Sequence, residues 1–168
     1  RAVVVCGGGP GRAGKDHAGA WAGARFRCLY LRVDAVETAL QRTGLLVGPE
    51  GYAVVHELAV SNLLIGVPVV VDAVHPVPEA RQGWAATAAR ANARLIVLET
   101  SLPDEREHRR RVQERTADIP GHQVPIWAEV QADGWVSWDE VRDGPRTIID
   151  TTDSTTALGV GVDAIRQL

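Results

Sequence analysis

The chain of 168 residues fits one domain, and its 45% apolar and 23% charged residues are typical of a globular protein. Its net charge of −3 provides no overall basic field, which disfavours general nucleic-acid binding, and no apolar run is long enough to span a bilayer. The two cysteines are too few for a disulfide framework, so we expect reduced thiols in buried strands and a cytoplasmic location.

In chain order, the sequence predicts strands that alternate with helices. Short apolar, β-branched runs predict strands over residues 1–6, 28–33, 67–71, 95–98 and 147–149. Helical spacing, alanine content and end signals predict helices over residues 14–25, 35–43, 50–65, 78–92, 104–115 and 154–168. In the helix over 50–65, Val54, Leu58, Ser61 and Ile65 recur near one face. This alternation predicts an α/β fold with a parallel sheet covered by helices on both faces.

A glycine-rich stretch follows the first predicted strand. From Gly9 to Lys15 it reads G-x-x-x-x-G-K, the first seven places of the phosphate-binding loop pattern. Glycines let the backbone turn tightly around a polyphosphate, whose charge then faces main-chain amides and a helix N-terminus. Lys15 is the only lysine of the chain and would place its ammonium group on the terminal phosphates. The predicted nucleotide-binding positions of this loop are Gly9, Gly11, Arg12, Ala13, Gly14, Lys15, Asp16 and His17. The alternative is a strand-to-helix turn without a ligand.

Two acidic residues are candidate metal ligands. Asp16 occupies the eighth place of the loop pattern, where a Ser or Thr hydroxyl normally binds Mg²⁺, and a carboxylate can also bind that ion. Asp72 closes the apolar run Val69–Val71, which is the Walker-B arrangement for holding Mg²⁺. A turn or cap role is the alternative for Asp72.

Asp34 is the candidate catalytic base, because it follows the second predicted strand at the same sheet edge as the loop. A carboxylate there can accept the proton of an attacking hydroxyl, and a helix N-cap is its alternative role. Arg111 and Arg115 lie four residues apart on one face of a charged helix. Such arginines can stack on adenine and stabilise a transferring phosphoryl group, whereas a solvated charged face is the alternative.

With these residues in place, the chain resembles small P-loop kinases of the chloramphenicol-phosphotransferase and zeta-toxin type. The likeness covers nearly the whole chain and is carried by GPGRAGK (9–15), LRVDAVETAL (31–40), GYAVVHELAVSNLLIGVPVVVDAVHPVPEAR (51–81) and EHRRRVQERTADIPGHQVPIWAEV (107–130). The resemblance implies a three-layer fold with a five-stranded parallel sheet, in a single domain of residues 1–168. It also implies a helical lid over residues 116–144, a mixed segment with three tryptophans.

The resemblance further implies transfer of the ATP γ-phosphate to a hydroxyl, with ATP and Mg²⁺ as cofactors. By this likeness Lys15 holds phosphates and Asp34 is the base. Asp72 would contact the metal or the substrate, and Arg111 and Arg115 would be the arginines of the lid. Thr151 and Thr152 would lie in the loop beside adenine. The loop departs from the family pattern by one inserted residue and by Asp16 in place of the hydroxyl.

Three functions remain open at this stage. The first is an ATP-dependent phosphotransferase acting on an antibiotic, nucleoside, sugar or other metabolite, with Tyr52 and His75 as candidate substrate residues. The second is a degenerate kinase fold that binds a nucleotide or metabolite without turnover, a hypothesis motivated by Asp16. The third is a polynucleotide 5′-hydroxyl kinase, which the net negative charge disfavours. We expect a small-molecule hydroxyl substrate and neither a membrane nor a nucleic-acid partner, and a homodimer stays open.

Overall fold

Residues 2–8, 28–132 and 134–166 are described by the computed structural model of the chain. The strands are β1 (Ala2–Gly8), β2 (Leu29–Arg32), β3 (Val69–Val74), β4 (Arg94–Ser101) and β5 (Thr147–Asp150). They form a parallel five-stranded sheet in the order β2-β3-β1-β4-β5, in which β1 lies between β3 and β4. The predicted α/β class and the parallel pairing of the strands are confirmed.

The described helices connect these strands. They are α1 (Val33–Arg42), α2 (Glu50–Leu64), α3 (Pro78–Arg90), α4 (Glu105–Glu114), α5 (Trp127–Ala132), α6 (Glu140–Asp143) and α7 (Ser154–Arg166). Pro78 begins α3, where its missing N–H costs no hydrogen bond, and Asp104 caps α4 by accepting from the amides of Arg106 and Glu107. None of them has the length and apolar character that a bilayer-crossing helix requires. The helix predicted over residues 14–25 lies outside the described residues.

The core is divided between the two faces of the sheet, because successive strand residues point to opposite sides. On one face, Val69 and Val71 of β3 pack against side chains of α2 and α3: Val55, Ala59, Leu63, Trp84 and Ala88. On the other face, Val70 packs with Val4, Leu98 and Ile149, and Ala157 of α7 joins them. Each such burial contributes roughly 1.5–3 kcal/mol, so the apolar strands hold the sheet between helices.

The predicted apolar face of α2 is wrong. Val54, Leu58 and Ile65 are exposed, Ile65 by 76%, whereas Val55 and Leu63 are fully buried. The buried face begins at Gly51, where an added Cβ would collide with the Glu37 side chain of α1. Close packing against α1 therefore selects the face that carries Gly51 together with Val55 and Leu63.

The two acidic strand-end residues do not cap turns or helices. β3 continues through Asp72 to Val74, so Asp72 lies within the strand. Helix α1 begins at Val33 with Arg32 at its N-cap, which places Asp34 in the first helical turn. A carboxylate in a first turn is stabilised by the helix dipole without being the cap itself.

Candidate functional site

Among the predicted site residues that the structure describes, Asp34 follows the end of β2 and Asp72 lies in the second half of β3. The chain passes from β1 to β2 and β3 on one side and then crosses to β4 and β5 on the other, so strand order reverses at β1. Open α/β sheets bind ligands in the crevice at such a reversal. The predicted phosphate loop would follow β1 directly, but residues 9–17, with Lys15 and Asp16, lie outside the described residues.

Asp72 is held by two side chains of the neighbouring strand β2. The Tyr30 hydroxyl donates to Asp72 Oδ2 at 2.9 Å, and Arg32 Nε lies 3.9 Å from the same oxygen. Arg32 also donates through Nη1 and Nη2 to the Asp118 carboxylate, at 2.5 and 3.0 Å. The Asp118 hydrogen bond raises the pKa of Arg32, so this guanidinium stays charged and links the sheet to the segment after α4.

Asp34 faces that same segment through a histidine. His122 Nε2 lies 3.9 Å from Asp34 Oδ2, and both side chains are 18% exposed. The other ring nitrogen, Nδ1, lies 3.2 Å from Thr38 Oγ1, while the Thr38 hydroxyl donates to the Asp34 carbonyl at 2.7 Å. The candidate base is therefore part of a three-residue arrangement that includes an imidazole.

Arg115 follows α4 as its C-cap residue, close to Asp118. The Arg32 guanidinium, with a smaller contribution from Arg115, holds the pKa of the Asp118 carboxyl below its ordinary value. Three predicted residues that are distant in sequence are thus brought to one region: Asp34, Asp72 and Arg115. The side chains that join them are those of Arg32, Asp118 and His122.

A second group of predicted residues meets beside the end of β5. Arg111 donates to the carbonyls of Thr151 and Thr152, at 2.8 and 3.2 Å, and to Glu107 Oε1 at 2.7 Å. Arg110 and Arg111 together lower the pKa of Glu107 to about 2. Helix α4 is therefore tied through Arg111 to the loop that the family resemblance places next to adenine.

Tyr52 and His75 lie at the carboxyl end of β3. Tyr52 packs half-buried against the core, and its hydroxyl donates to the Val74 carbonyl. His75 is 3% exposed and accepts at Nδ1 from Trp84 Nε1 at 3.3 Å. A Cβ added to Gly7 would lie 2.8 Å from His75 Cδ2, so this ring fills the space under the end of β1. Their role toward a substrate stays a prediction.

Arg81 is a buried residue that the sequence analysis missed. Its guanidinium pairs with Asp143 at 2.8 Å, donates to the His75 carbonyl at 3.0 Å, and lies 5.3 and 4.9 Å from the ring centroids of Trp135 and Trp138. These contacts dock the second half of the predicted lid onto the loop after β3. The lid tryptophans hint at such an anchor, but no signal in the sequence singles out Arg81 among 17 arginines.

Glu99 is a second missed residue at the same edge, level with Gly7 of β1. It is paired with Arg146 at 3.1 Å, and the Arg146 guanidinium lies 4.9 Å from the Trp138 ring centroid. Burial raises the pKa of the Glu99 carboxyl, which Arg146 partly opposes. This pair fixes the chain that enters β5 to the central part of the sheet.

The described residues contain no group of three or more His, Cys, Asp or Glu side chains placed to hold a metal ion. Mg²⁺ beside a nucleotide, however, needs only one or two carboxylates, since phosphates and waters supply its other ligands. Asp72 lies in β3 beside β1, the strand that leads toward the predicted loop, and can supply one such carboxylate.

Comparisons with known proteins give no family model and no curated protein that matches the chain. Solved structures do match. A protein assigned as a kinase from Chloroflexus aurantiacus J-10-fl is 20% identical, with a TM-score of 0.74 over 99% of this chain and 97% of its own. A sugar kinase from Janibacter sp. HTCC2649 is 14% identical, with a TM-score of 0.68 over 98% and 94%. The APS kinase of Mycobacterium tuberculosis, in complex with AMPPNP and APS, is 17% identical, with a TM-score of 0.60 over 98% and 97%. At these identities the likeness is one of fold.

Proposed function

Since the chain has the fold of P-loop kinases, we propose that it is a phosphotransferase that moves the γ-phosphate of ATP to a hydroxyl of a small molecule. The observation that supports the proposal is a chain of contacts beside β1. Asp72 pairs with Arg32, and Arg32 also pairs with Asp118, which lies near Arg115. Asp34 faces His122 of the same segment. Two of the similar structures are, by name, kinases of small molecules, and one of them holds a nucleotide analogue.

The nucleotide would lie along the edge between the two groups of residues. The loop amides and Lys15 would hold its phosphates, and Arg111, with Thr151 and Thr152, would border the base. Asp72 and Asp16 would hold Mg²⁺, which, when bound, neutralises charge on the phosphates.

In this reaction the protein would position the acceptor hydroxyl and stabilise the charge of the transferring phosphoryl group. Asp34 would orient the acceptor hydroxyl and draw away its proton, so that the oxygen can attack the γ-phosphorus as the bond to the β-phosphate oxygen breaks. Arg115 would stabilise the charge that spreads over the transferring group. The acceptors of the family that the chain resembles, antibiotics, nucleosides and sugars, define the compounds to be tested.

The test is transfer of labelled phosphate from ATP to a panel of antibiotics, nucleosides and sugars. We expect Lys15→Ala and Asp34→Asn each to lower the rate by about 100-fold or more. Glu57→Gln, which breaks an exposed ion pair with Arg90 away from the site, is the matched control and should keep full activity. Transfer that is unchanged by both site variants would contradict the proposal.

Asp16 favours one second candidate, a kinase fold that binds a nucleotide without turnover. Calorimetry with ATP, with and without Mg²⁺, separates the two candidates. Metal-independent binding without transfer supports the second candidate, particularly if Asp16→Ser then restores transfer. Magnesium-dependent binding together with transfer supports the first.

A further inference from the structure

The geometry around Asp34 points to a second proton-handling residue, and we propose that His122 receives the proton that leaves the acceptor hydroxyl. The inference rests on the proposed phosphotransferase function. In this refinement of that function the proton goes to His122 in place of Asp34, whose carboxylate stabilises the imidazolium that forms.

The Thr38 hydroxyl fixes which nitrogen of His122 carries hydrogen. A threonine hydroxyl has a single proton, and that of Thr38 is donated to the Asp34 carbonyl at 2.7 Å. With that proton so donated, Thr38 Oγ1 faces His122 Nδ1, at 3.2 Å, as an acceptor. Thr38 is 1% exposed within α1, so solvent does not compete for its hydroxyl. In the proposed arrangement the neutral His122 ring carries its proton on Nδ1 and presents an unprotonated Nε2.

The unprotonated Nε2 and the Asp34 carboxylate then face each other as two acceptors. Their separation of 3.9 Å is too long for a direct hydrogen bond. The single proton of an acceptor hydroxyl can be donated to only one of them. In the proposal it is donated to Nε2, at an ordinary hydrogen-bond distance of about 2.8 Å.

The proton transfer balances without any further reactant. The acceptor O–H bond breaks as its oxygen forms a bond to the γ-phosphorus, and the bond from phosphorus to the β-phosphate oxygen breaks, so ADP leaves with that electron pair. The released proton goes to the lone pair of His122 Nε2, to which the acceptor hydroxyl donates. The resulting imidazolium forms an ion pair with Asp34 and loses its proton to water when the products leave.

The segment that carries His122 is also held at Asp118, whose carboxylate accepts hydrogen bonds from both terminal nitrogens of Arg32. The ring is therefore held toward Asp34 by a contact four residues earlier in the chain as well as by Thr38. The opposite charges of Arg32 and Asp118 are paired with each other through these two hydrogen bonds.

The first test reads the ring state directly and needs no turnover. Nitrogen-15 NMR of labelled histidine side chains at pH 8.5, where ordinary imidazoles are neutral, reports which nitrogen carries the proton. We expect the Nδ1–H form for His122 in the wild-type protein and in Thr38→Ser, and its loss in Thr38→Val. An Nε2–H form in the wild-type protein would overturn the inference.

The second test measures phosphotransfer. His122→Asn keeps an amide that can donate to Thr38 but has no basic nitrogen. If His122 accepts the proton, kcat should therefore fall by about 100-fold, as much as in His122→Ala. The KM for ATP should change less than about twofold, because the ring does not border the nucleotide. A role limited to positioning the segment predicts instead that His122→Asn retains most activity.

The matched control is a second histidine–threonine pair in the core. His56 Nδ1 lies 2.7 Å from Thr87 Oγ1, whose hydroxyl donates to the Gly83 carbonyl at 3.0 Å, but this pair lies under α3 away from Asp34. Thr87→Val should therefore leave phosphotransfer unchanged while Thr38→Val lowers it. Wild-type transfer that is insensitive to His122→Ala would overturn this inference alone, whereas no transfer by the wild-type protein to any acceptor would overturn the proposed function and, with it, this step.

Discussion

The Arg81 guanidinium and the Asp143 carboxylate form an ion pair at 2.8 Å whose side chains are 1% and 0% exposed. Arg81 also lies against the rings of Trp135 and Trp138. The second half of the segment predicted as a lid is therefore packed onto the body of the protein. The part between α4 and α5, which carries Asp118 and His122, meets the sheet edge through polar contacts instead.

Breaking this buried pair should destabilise the fold. Asp143→Asn leaves the Arg81 charge buried with weaker partners, and we expect a loss of about 3–5 kcal/mol in the free energy of unfolding. Urea denaturation measures it. Asp163→Asn, which removes an exposed pair with Arg166, is the control and should cost less than about 1 kcal/mol. Equal effects of the two variants would contradict the buried anchor.

The same pair predicts acid sensitivity. The guanidiniums of Arg142 and Arg81 hold the pKa of the Asp143 carboxyl well below its ordinary value. A depressed carboxyl pKa contributes stability above the unfolded-state value, about 3.9, and that contribution is lost as the pH falls below it. Wild-type stability should therefore decline between about pH 4 and pH 2, and the Asp143→Asn variant should lack that part of the decline. Parallel curves would show that Asp143 is not the group responsible.

Two glycines should respond to alanine in opposite directions. A Cβ on Gly7 would lie 2.8 Å from Cδ2 of His75, a buried ring held by Trp84, so we expect Gly7→Ala to cost about 1–3 kcal/mol. Gly159 lies exposed in α7 with nothing within 4 Å of its added Cβ. Gly159→Ala should stabilise by about 0.5–1 kcal/mol, because alanine favours the helix. Thermal unfolding of the two variants measures the direction of each change in stability. A stabilising Gly7→Ala would mean that the His75 ring moves away from the added methyl group.

The sequence predicts elements better than their faces and ends. Apolar β-branched runs locate all five described strands, because burial on both faces leaves a continuous pattern. The predicted end of β3 is wrong because the Asp72 carboxylate accepts a hydrogen bond from Tyr30 on the neighbouring strand. A pattern along the chain cannot show such a contact between strands. The face of α2 is wrong because the small residue Gly51, rather than apolar bulk, decides which side packs.

The candidate site is predictable only in part for the same reason. Asp34 and Asp72 are found because parallel strands end at a common edge. His122 and Arg81 depend on contacts across 84 and 62 residues of chain. Both lie in segments that carry the family resemblance, but nothing in those segments marks either residue for its contact. Such partners are chosen by tertiary packing, so spacing along the chain carries no signal for them.

Glu107 should support nucleotide binding through Arg111. Its carboxylate fixes Arg111 from one side while Thr151 and Thr152 accept from the other, so Glu107→Gln should loosen the arginine beside the proposed base site. We expect ATP affinity to fall by about 5-fold, the equivalent of about 1 kcal/mol. Glu114→Gln is the control, because Glu114 pairs with Arg110 and not with Arg111. Calorimetry that finds the two variants equal would contradict this role.

Asp118 should matter for activity more than for stability. Its pair with Arg32 is largely exposed on the Asp118 side, so Asp118→Asn should change the free energy of unfolding by less than about 1 kcal/mol. The pair nevertheless holds the His122 segment against the strand that carries Arg32, next to Asp34 and Asp72. We therefore expect a fall of about 10-fold in kcat/KM for the acceptor, with the KM for ATP unchanged.

The comparison variant for Asp118→Asn is Glu57→Gln. It also replaces an exposed carboxylate that accepts two hydrogen bonds from one arginine, here Arg90 at 2.6 and 2.9 Å. The two variants lose the same kind of contact, but only one contact borders the proposed site. If both left kcat/KM at the wild-type value, the segment between α4 and α5 would not need this ion pair to place His122. If both lowered it equally, the effect would come from general stability, which the unfolding curves would reveal.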